Sequence, residues 1–406
     1  MTAHFNKRTS ESSSWQAEKV AGNDDLLRQI LVRLPGSSLL RFRCVCRHWR
    51  FLTSSSDFRQ LQSCRSAAST AGLFLFRKSD RRYHLDHLLN FPETSKRRVP
   101  SNIRTFIGSF QSIKPINYCN GLLCLRLHLD NDEVFYCVYN PCTNRYTNIP
   151  LPEIDDLDEI VSMNLAFDPS KSSYYKIVCI VKEGLGLLRF LTFSTEANSS
   201  TTWKESGQQV QIRVDHYYYF GKGVFLNGAI HLVSKHSPFL CFDVDNECLK
   251  KMPSTSIPEG HDRRKIKYFG ESAGKLYLIE ENVLRPTLLN VFELDKDYSK
   301  WFMKYVVDVD VLTRLFPLMV FNEPESLDAI DYQFDVLCFL DGEKEGKTML
   351  VLSLPEKMIS YDIKNMNVKE LLKVQLEELH LNMEGFLVYN YKWYHAYKHV
   401  ETLALV

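Results

Sequence analysis

The stretch Asp24-Asp-Leu-Leu-Arg-Gln-Ile-Leu-Val-Arg-Leu-Pro-Gly-Ser-Ser-Leu-Leu-Arg-Phe-Arg-Cys-Val-Cys-Arg-His-Trp-Arg50 decides how this chain is read. Leu26, Leu27, Ile30, Leu31 and Leu34 fall at i, i+1, i+4, i+5 and i+8, one face of an amphipathic helix. Asn23 or Asp24 offers the N-cap oxygen. Pro35-Gly36 ends that helix, and Ser37 or Ser38 can cap a second one carrying Leu39, Leu40 and Phe42. A third set, Val45, Cys46, Trp49 and Leu52, keeps helical spacing until Ser54-Ser55-Ser56 stops it. Three short helices make a core too small to be comfortable alone. Such a module leaves apolar side chains for a partner to cover, as a helix-in-groove surface does.

The bulk of the chain fits around this module without pulling it elsewhere. Its 406 residues exceed what one core serves unless the fold is a repeat or barrel. Fifty Lys and Arg against 49 Asp and Glu leave a formal charge of +1, so no global field draws the chain to nucleic acid or an anionic membrane. Residues 1–20, rich in Ser, Thr and charge, are expected to be disordered. The first fourteen residues lack an apolar core, so no signal peptide is expected, and no run approaches the length of a membrane span. Eleven cysteines, odd in number and without framework spacing, suit a reducing compartment, the cytoplasm or nucleus.

From about residue 70 the texture is β. Short aromatic or β-branched runs at 72–76, 134–139, 175–181, 275–279 and 348–353 alternate with turn signals such as Asn120-Gly121, Asn140-Pro141, Asn227-Gly228 and Asp341-Gly342. A repeat is visible: strands end in an aromatic and a polar residue at Tyr139-Asn140, Phe193-Ser194, Phe242-Asp243, Phe292-Glu293 and Tyr361-Asp362, separated by 54, 49, 50 and 69 residues. Three of them are preceded by an entry signature, Asn120-Gly-Leu-Leu123, Asn227-Gly-Ala-Ile230 or Ala273-Gly-Lys-Leu276. A period near fifty with several short strands per unit is that of a propeller blade of four antiparallel strands. Residues 70–406 then give six, alternatively seven, blades, the 69-residue gap being an insertion around 308–331 or a failure of phase. A pair of β-sandwiches or an irregular barrel would leave the period unexplained.

Read together, these residues resemble a known family. The Leu-rich helix, Leu34-Pro35, Ser38-Leu39 and Arg41-x-Arg-Cys-Val-Cys-x-x-Trp49 are similar to the F-box of plant F-box proteins. Cys119-Asn-Gly-Leu-Leu-Cys124, Tyr139-Asn-Pro-Cys-Thr143 and His399-Val-Glu-Thr-Leu-Ala-Leu-Val406 resemble their C-terminal F-box-associated domain, a kelch-like propeller. The resemblance implies a multi-domain chain, a small all-α F-box of three helices at 21–64 and an all-β propeller at 70–406. It implies a non-catalytic substrate receptor of an SCF-type cullin–RING ubiquitin ligase, bound through a Skp-type adaptor to the cullin and RING subunits and holding a target protein. The adaptor-binding residues carried over are Leu26, Leu27, Ile30, Leu31, Leu34, Pro35, Leu39, Leu40, Val45, Cys46 and Trp49, shared between the module's core and the adaptor. Two departures stand out. Gly22-Asn23 replaces the family's Leu-Pro ahead of the acidic pair, which implies a weaker grip on the adaptor, and the Gly-Gly doublet of standard kelch repeats is missing.

Other signals are thin. Cys44-x-Cys46, Cys119-x4-Cys124, Cys137-x4-Cys142 and His84-x-x-His87 lack a second half at zinc spacing, so no metal site is expected. No nucleotide-binding, nucleophile-elbow or metalloprotease motif occurs, so neither catalytic residues nor a cofactor are expected. Arg41, Arg43, Arg47 and Arg50 lie around more than one helix face without interleaved aromatics, which argues against nucleic acid. Lys96-Arg97-Arg98 and Arg263-Arg264-Lys265-x-Lys267 read as solvated loops before import signals or target contacts. Tyr217-Tyr218-Tyr219 could be a recognition cluster, but alternate members of a strand favour the blade core. The competing reading is a ligand- or glycan-binding propeller, or a propeller oxidase, with the helices as an appendage.

Overall fold

The computed structural model describes residues 19–20, 22–67, 72–79, 82–90, 96–97, 106, 110–129, 133–155, 158–184, 186–196, 202–211, 222–236, 238–257, 259–260, 264–322, 330–341, 348–355, 357–373, 380–381, 387–388 and 395–406. The expected disordered tail, apart from Lys19 and Val20, and the Tyr217–Tyr219 cluster lie outside them.

Among the described residues four complete helices form the N-terminal module: α1 (Asp24–Leu31), α2 (Gly36–Phe42), α3 (Arg47–Ser54) and α4 (Ser56–Ala67). The expected number was three. The serine triplet stops α3 but starts α4 again within one residue. Ser55 is extended (φ −62°, ψ 147°), its hydroxyl donates to the Leu52 carbonyl at 2.9 Å and accepts from the Phe58 amide at 3.3 Å, so one side chain closes one helix and caps the next. Asn23 caps α1 as expected, its Oδ1 accepting from the Asp25 and Leu26 amides at 3.1 Å each. Neither Ser37 nor Ser38 caps α2, which opens on Pro35 without a side-chain cap.

Behind the module, five sheets are meanders of four consecutive strands: β4–β7 (Ser112–Cys119, Leu122–His128, Val134–Asn140, Arg145–Ile149), β8–β11 (Glu159–Ala166, Lys176–Glu183, Leu187–Ser194, Lys204–Gln211), β12–β15 (Val224–Leu226, Ala229–Leu232, Phe239–Asp243, Cys248–Met252), β16–β19 (Ile266–Ser272, Lys275–Glu281, Leu288–Leu294, Trp301–Asp308) and β22–β25 (Asp335–Leu340, Met349–Ser353, Lys357–Asp362, Val368–Lys373). The repeat seen in the sequence is this meander. Each aromatic–polar pair lies at or near the end of the third strand of a blade. Each entry signature is the turn between first and second strands, and it puts two successive residues at positive φ: Asn120 and Gly121, Asn227 and Gly228, Ala273 and Gly274. Four of the first strands also carry an unpaired bulge residue, between 115 and 117, 160 and 162, 266 and 268, and 336 and 338. A bulge there sharpens the strand's bend and twist.

The expected six or seven blades must be corrected. Five blades arise from consecutive strands, as the period implies. The other four-stranded sheet is a composite, in the order β28-β1-β2-β3, where β1 (Gly72–Ser79), β2 (Arg82–Asn90) and β3 (Lys96–Arg97) take their inner neighbour β28 (His395–His399) from the far end of the chain. Counting by period cannot see such a sheet, because its strands are not contiguous. The 69-residue spacing is an insertion, and it falls between blades: α5 (Asp310–Leu315), a 3-10 turn at Pro317–Met319 and the hairpin β20 (Val320–Asn322) and β21 (Ile330–Tyr332) separate β19 from β22. A further hairpin pairs β26 (His380–Leu381) with β27 (Leu387–Val388).

Apolar clusters between neighbouring sheets close the circuit. Leu122, Val138, Leu165 and Ile177 join the first two blades, and Phe190 stacks on Phe242 (5.0 Å between centroids) to join the next pair. Leu73 and Leu75 of β1 meet Val351 and Met358 on one side of the composite sheet, while Phe74 and Phe76 meet Leu123 and Leu125 on the other. Between the last two meander blades the core holds an ionic knot: Lys304 Nζ lies 2.6 Å from both Glu293 and Asp341 and 3.0 Å from the Tyr277 hydroxyl.

Candidate docking site

The helical module does not hang free of the propeller. Leu27, Leu31, Leu39, Leu52 and Phe58 form its core, and Leu403, from the last residues of the chain, is buried among them. Residues 400–406 run between the helices and the first blade as a strap. The Ser63 and Thr402 hydroxyls are 2.7 Å apart, the Leu403 amide donates to Gln62 Oε1 at 3.2 Å, and the Ser37 hydroxyl donates to Glu401 at 3.0 Å. On the propeller side, the buried Asn140 amide donates to the Thr402 and Ala404 carbonyls at 3.2 and 2.8 Å. Two glycines permit the approach. A Cβ on Gly36 would stand 2.8 Å from Cys142 Sγ, and one on Gly121, at φ +93°, would stand 2.5 Å from Thr402. Gln60 adds a bond from α4 to the Ser170 carbonyl at 3.2 Å.

The module also carries apolar residues that neither its own core nor the strap covers. Of the eleven carried-over positions, Leu27, Leu31 and Leu39 are buried, and Leu34, Leu40 and Trp49 are half-buried against the same core. Leu26, Ile30, Pro35, Val45 and Cys46 are exposed. Leu26 and Ile30 share one face of α1. The His48 Nε2 to Asp24 contact of 2.9 Å sets the start of α3 beside the first turn of α1. Cys46 Sγ accepts from the Trp49 amide at 3.4 Å as the α3 cap, and Trp49 meets Phe42 edge-on at 5.5 Å.

Two exposed apolar residues escaped the sequence reading. Phe51 is 74 % exposed, and Leu61 lies on α4 and is also exposed. Phe51 sits off the Val45–Trp49–Leu52 stripe, so periodicity gives no reason to single it out; its signal is a large aromatic on the polar face of a short helix.

The basic set is not a uniform surface. Arg43 turns inward, donating to the Thr53 carbonyl at 2.8 Å, and burial followed by repulsion from Arg59 lowers its pKa. The second basic cluster is a correction: Arg264 is buried over the Phe239 ring and bonded to the Thr255 carbonyl at 2.9 Å, while Lys265 and Lys267 both pair with Glu281. Arg264 and Lys267 are blade-packing groups rather than solvated loop residues, whereas Lys265 stays exposed as expected and Arg263 lies outside the described residues. The cysteines are free thiols; burial pushes Cys119 and Cys179 up to about 12, which keeps them as protonated core residues. Among the described residues no three His, Cys, Asp or Glu side chains gather as a metal site, and no helix is long and apolar enough to cross a membrane.

A small helical docking module sealed onto a β-propeller is therefore the class of protein that the geometry defines. The comparisons place it more closely. The F-box domain family matches residues 23–61, and the F-box associated beta propeller domain family matches 72–314. The chain is 28 % identical over 388 residues to the F-box protein At5g07610 of Arabidopsis thaliana, covering 90 % of this chain and 89 % of that one. It is 28 % identical over 262 residues to the Arabidopsis F-box protein At3g07870, covering 57 % and 59 %, and 23 % identical over 244 residues to the Arabidopsis F-box/kelch-repeat protein At3g23880, covering 56 % and 64 %. This chain belongs to the F-box proteins that carry an F-box-associated β-propeller.

Proposed function

We propose that the chain is the target-receptor subunit of an SCF-type cullin–RING ubiquitin ligase, acting in the cytoplasm or nucleus. The helices dock on a Skp-type adaptor, and through it on the cullin and RING subunits, while the propeller holds a target protein. One observation carries this reading: the strap residue Leu403 completes the module's core, and Leu26, Ile30, Pro35, Val45 and Phe51 still stand in water. Exposed apolar side chains on a small, otherwise satisfied helical unit suit a protein partner. The chain's contribution is then positional. Bond making belongs to other subunits, and this one raises the effective concentration of target lysines near the conjugating enzyme. The strap supports that role, because bonds to both bodies fix the distance between them.

The test is co-purification of the full-length chain with a recombinant Skp-type adaptor. The wild type is expected to form a stoichiometric complex, and Ile30→Asp to lose it while keeping its melting temperature. A well-folded wild type that ignores the adaptor would sink the reading.

A further inference from the structure

The outermost strands of the five meander blades hold equivalent places in the repeat, which makes them controls for one another. Four of them, β7 (RYTNI), β11 (KESGQQVQ), β15 (CLKKM) and β25 (VKELLK), turn mainly charged, hydroxyl or amide groups outward, and Tyr146 is the one large apolar side chain exposed among them. The fifth, β19, reads WFMKYVVD and exposes Phe302, Met303 (51 %) and Val306 (52 %). Its lysine, Lys304, gives no outward charge because it is turned in to Glu293 and Asp341. Edge strands are normally blunted by outward charge or proline, and this one is not. Among the described residues β19 pairs with β18 alone, so its outer row of backbone donors and acceptors is open.

Beside that edge, between neighbouring blades, lies a cleft of about 450 Å³ lined by Thr255, Glu280, Asn290, Phe292, Lys300 and Trp301 among others. The register sets Met303 opposite Phe292 and Val306 opposite Asn290. Directly opposed residues share a sheet face, so the two exposed apolar side chains flank the cleft. The acids of its wall are already matched. Glu280 accepts from the Thr255 hydroxyl at 2.6 Å and faces Arg264, and Glu281 lies 2.8 and 2.9 Å from Lys265 and Lys267. The exposed ammonium of Lys300, whose field also reaches the Asp297 carboxylate, is the cation at the mouth.

We infer that the β19 edge and this cleft form a peptide site for an extended segment that carries a large apolar side chain next to an acidic residue. The segment adds to β19 as a further strand, its apolar side chain enters the cleft against Trp301 and Phe292, and its carboxylate meets Lys300. This rests on the reading of the propeller as the target-holding part, and names the kind of target segment it takes. The edge suits a peptide better than a second copy of the chain. Eight residues span about 26 Å, and at the width of two strands the surface is roughly 260 Å². A stable dimer buries about 800 Å² per partner.

The test uses the full-length chain and short synthetic peptides of Ser, Thr and Val with one central Trp, flanked by Asp or by Lys. The Asp-flanked peptide is expected to bind saturably and to slow amide exchange across 301–308. Met303→Asp with Val306→Asp, at half-exposed sites, should weaken it about tenfold at unchanged melting temperature. Lys300→Glu should shift preference to the Lys-flanked peptide. No protection of 301–308 by either peptide, or binding indifferent to these substitutions, would overturn the inference. So would protection that grows with protein concentration alone, since a second copy would then be the occupant. Adaptor co-purification of the same variants keeps the two readings apart, because β19 lies outside the helical module.

Discussion

Ser63 and Thr402, 339 positions apart in the chain, hold their hydroxyl oxygens 2.7 Å from each other in a buried contact. Around them Gln62, Leu403 and Asn140 bind the strap to both bodies. The helical module is therefore completed by residues that follow the propeller.

Leu403→Ala removes a fully buried leucine from the module's core. Truncation of this kind costs about 2–5 kcal/mol. Thermal unfolding and amide exchange of the four helices should show the module loosening first, with adaptor binding lost alongside it. A variant lacking 401–406 should behave alike and more severely.

Exposed and buried positions should separate in adaptor binding. Phe51→Ala is expected to weaken the adaptor about tenfold, with stability unchanged to within about 0.5 kcal/mol. Leu39→Asp buries a charge at a site with no exposure and should unfold the module, so its loss of binding says nothing about contact. Melting curves run beside pull-downs distinguish the two.

Restoring the family's Leu-Pro at positions 22 and 23 should have opposed effects. It adds an apolar contact for the adaptor but removes the Asn23 cap, whose oxygen serves two amides of α1. Loss of such a cap costs about 1 kcal/mol. The double substitution should thus lower the melting temperature while tightening the adaptor complex, and calorimetry of both properties checks it.

The ionic knot sets an acid limit. Burial alone would raise the Glu293 and Asp341 carboxyls, but hydrogen bonds from Lys304 and Tyr277 outweigh it and hold both below the usual carboxylate range. Groups lowered on folding contribute stability above their unfolded pKa and lose it as pH falls through the folded one. Lys304→Met should cost about 3 kcal/mol at neutral pH. That deficit should shrink below about pH 4, near the unfolded carboxylate values. Denaturant unfolding across pH 3–7 measures it. Over a higher window, His231, buried between the Val224 carbonyl and the Tyr298 hydroxyl, is lowered from 6.5 to about 4 by burial. The unfolded chain therefore takes up a proton first, and stability should slip as pH drops from 6.5 towards 4 in wild type.

Local signals carried most of the fold. The Asn-Gly turns and the aromatic–polar strand ends are each written within a few residues and mark the element expected of them, while the Leu26–Leu34 spacing marks a helix that closes at Leu31, ahead of the expected Pro35-Gly36 stop. What could not be read depends on meetings across the chain. Gly121, Asn140 and Thr402 belong to three separate motifs that carried the resemblance, and nothing in their spacing says that they converge on one strap. The composite sheet escaped for the same reason. Within the docking set, period 3.6 marks a stripe but not its depth, so buried Leu39 and exposed Leu26 looked alike, and Phe51, off the stripe, was invisible.

The borrowed strand β28 and the strap that follows it bear on synthesis. The first sheet lacks its inner strand and the first helices lack Leu403 until the ribosome has passed residue 403, more than 300 residues after the strands and helices that need them. A product cut short by a premature stop would have neither a closed ring nor a finished module.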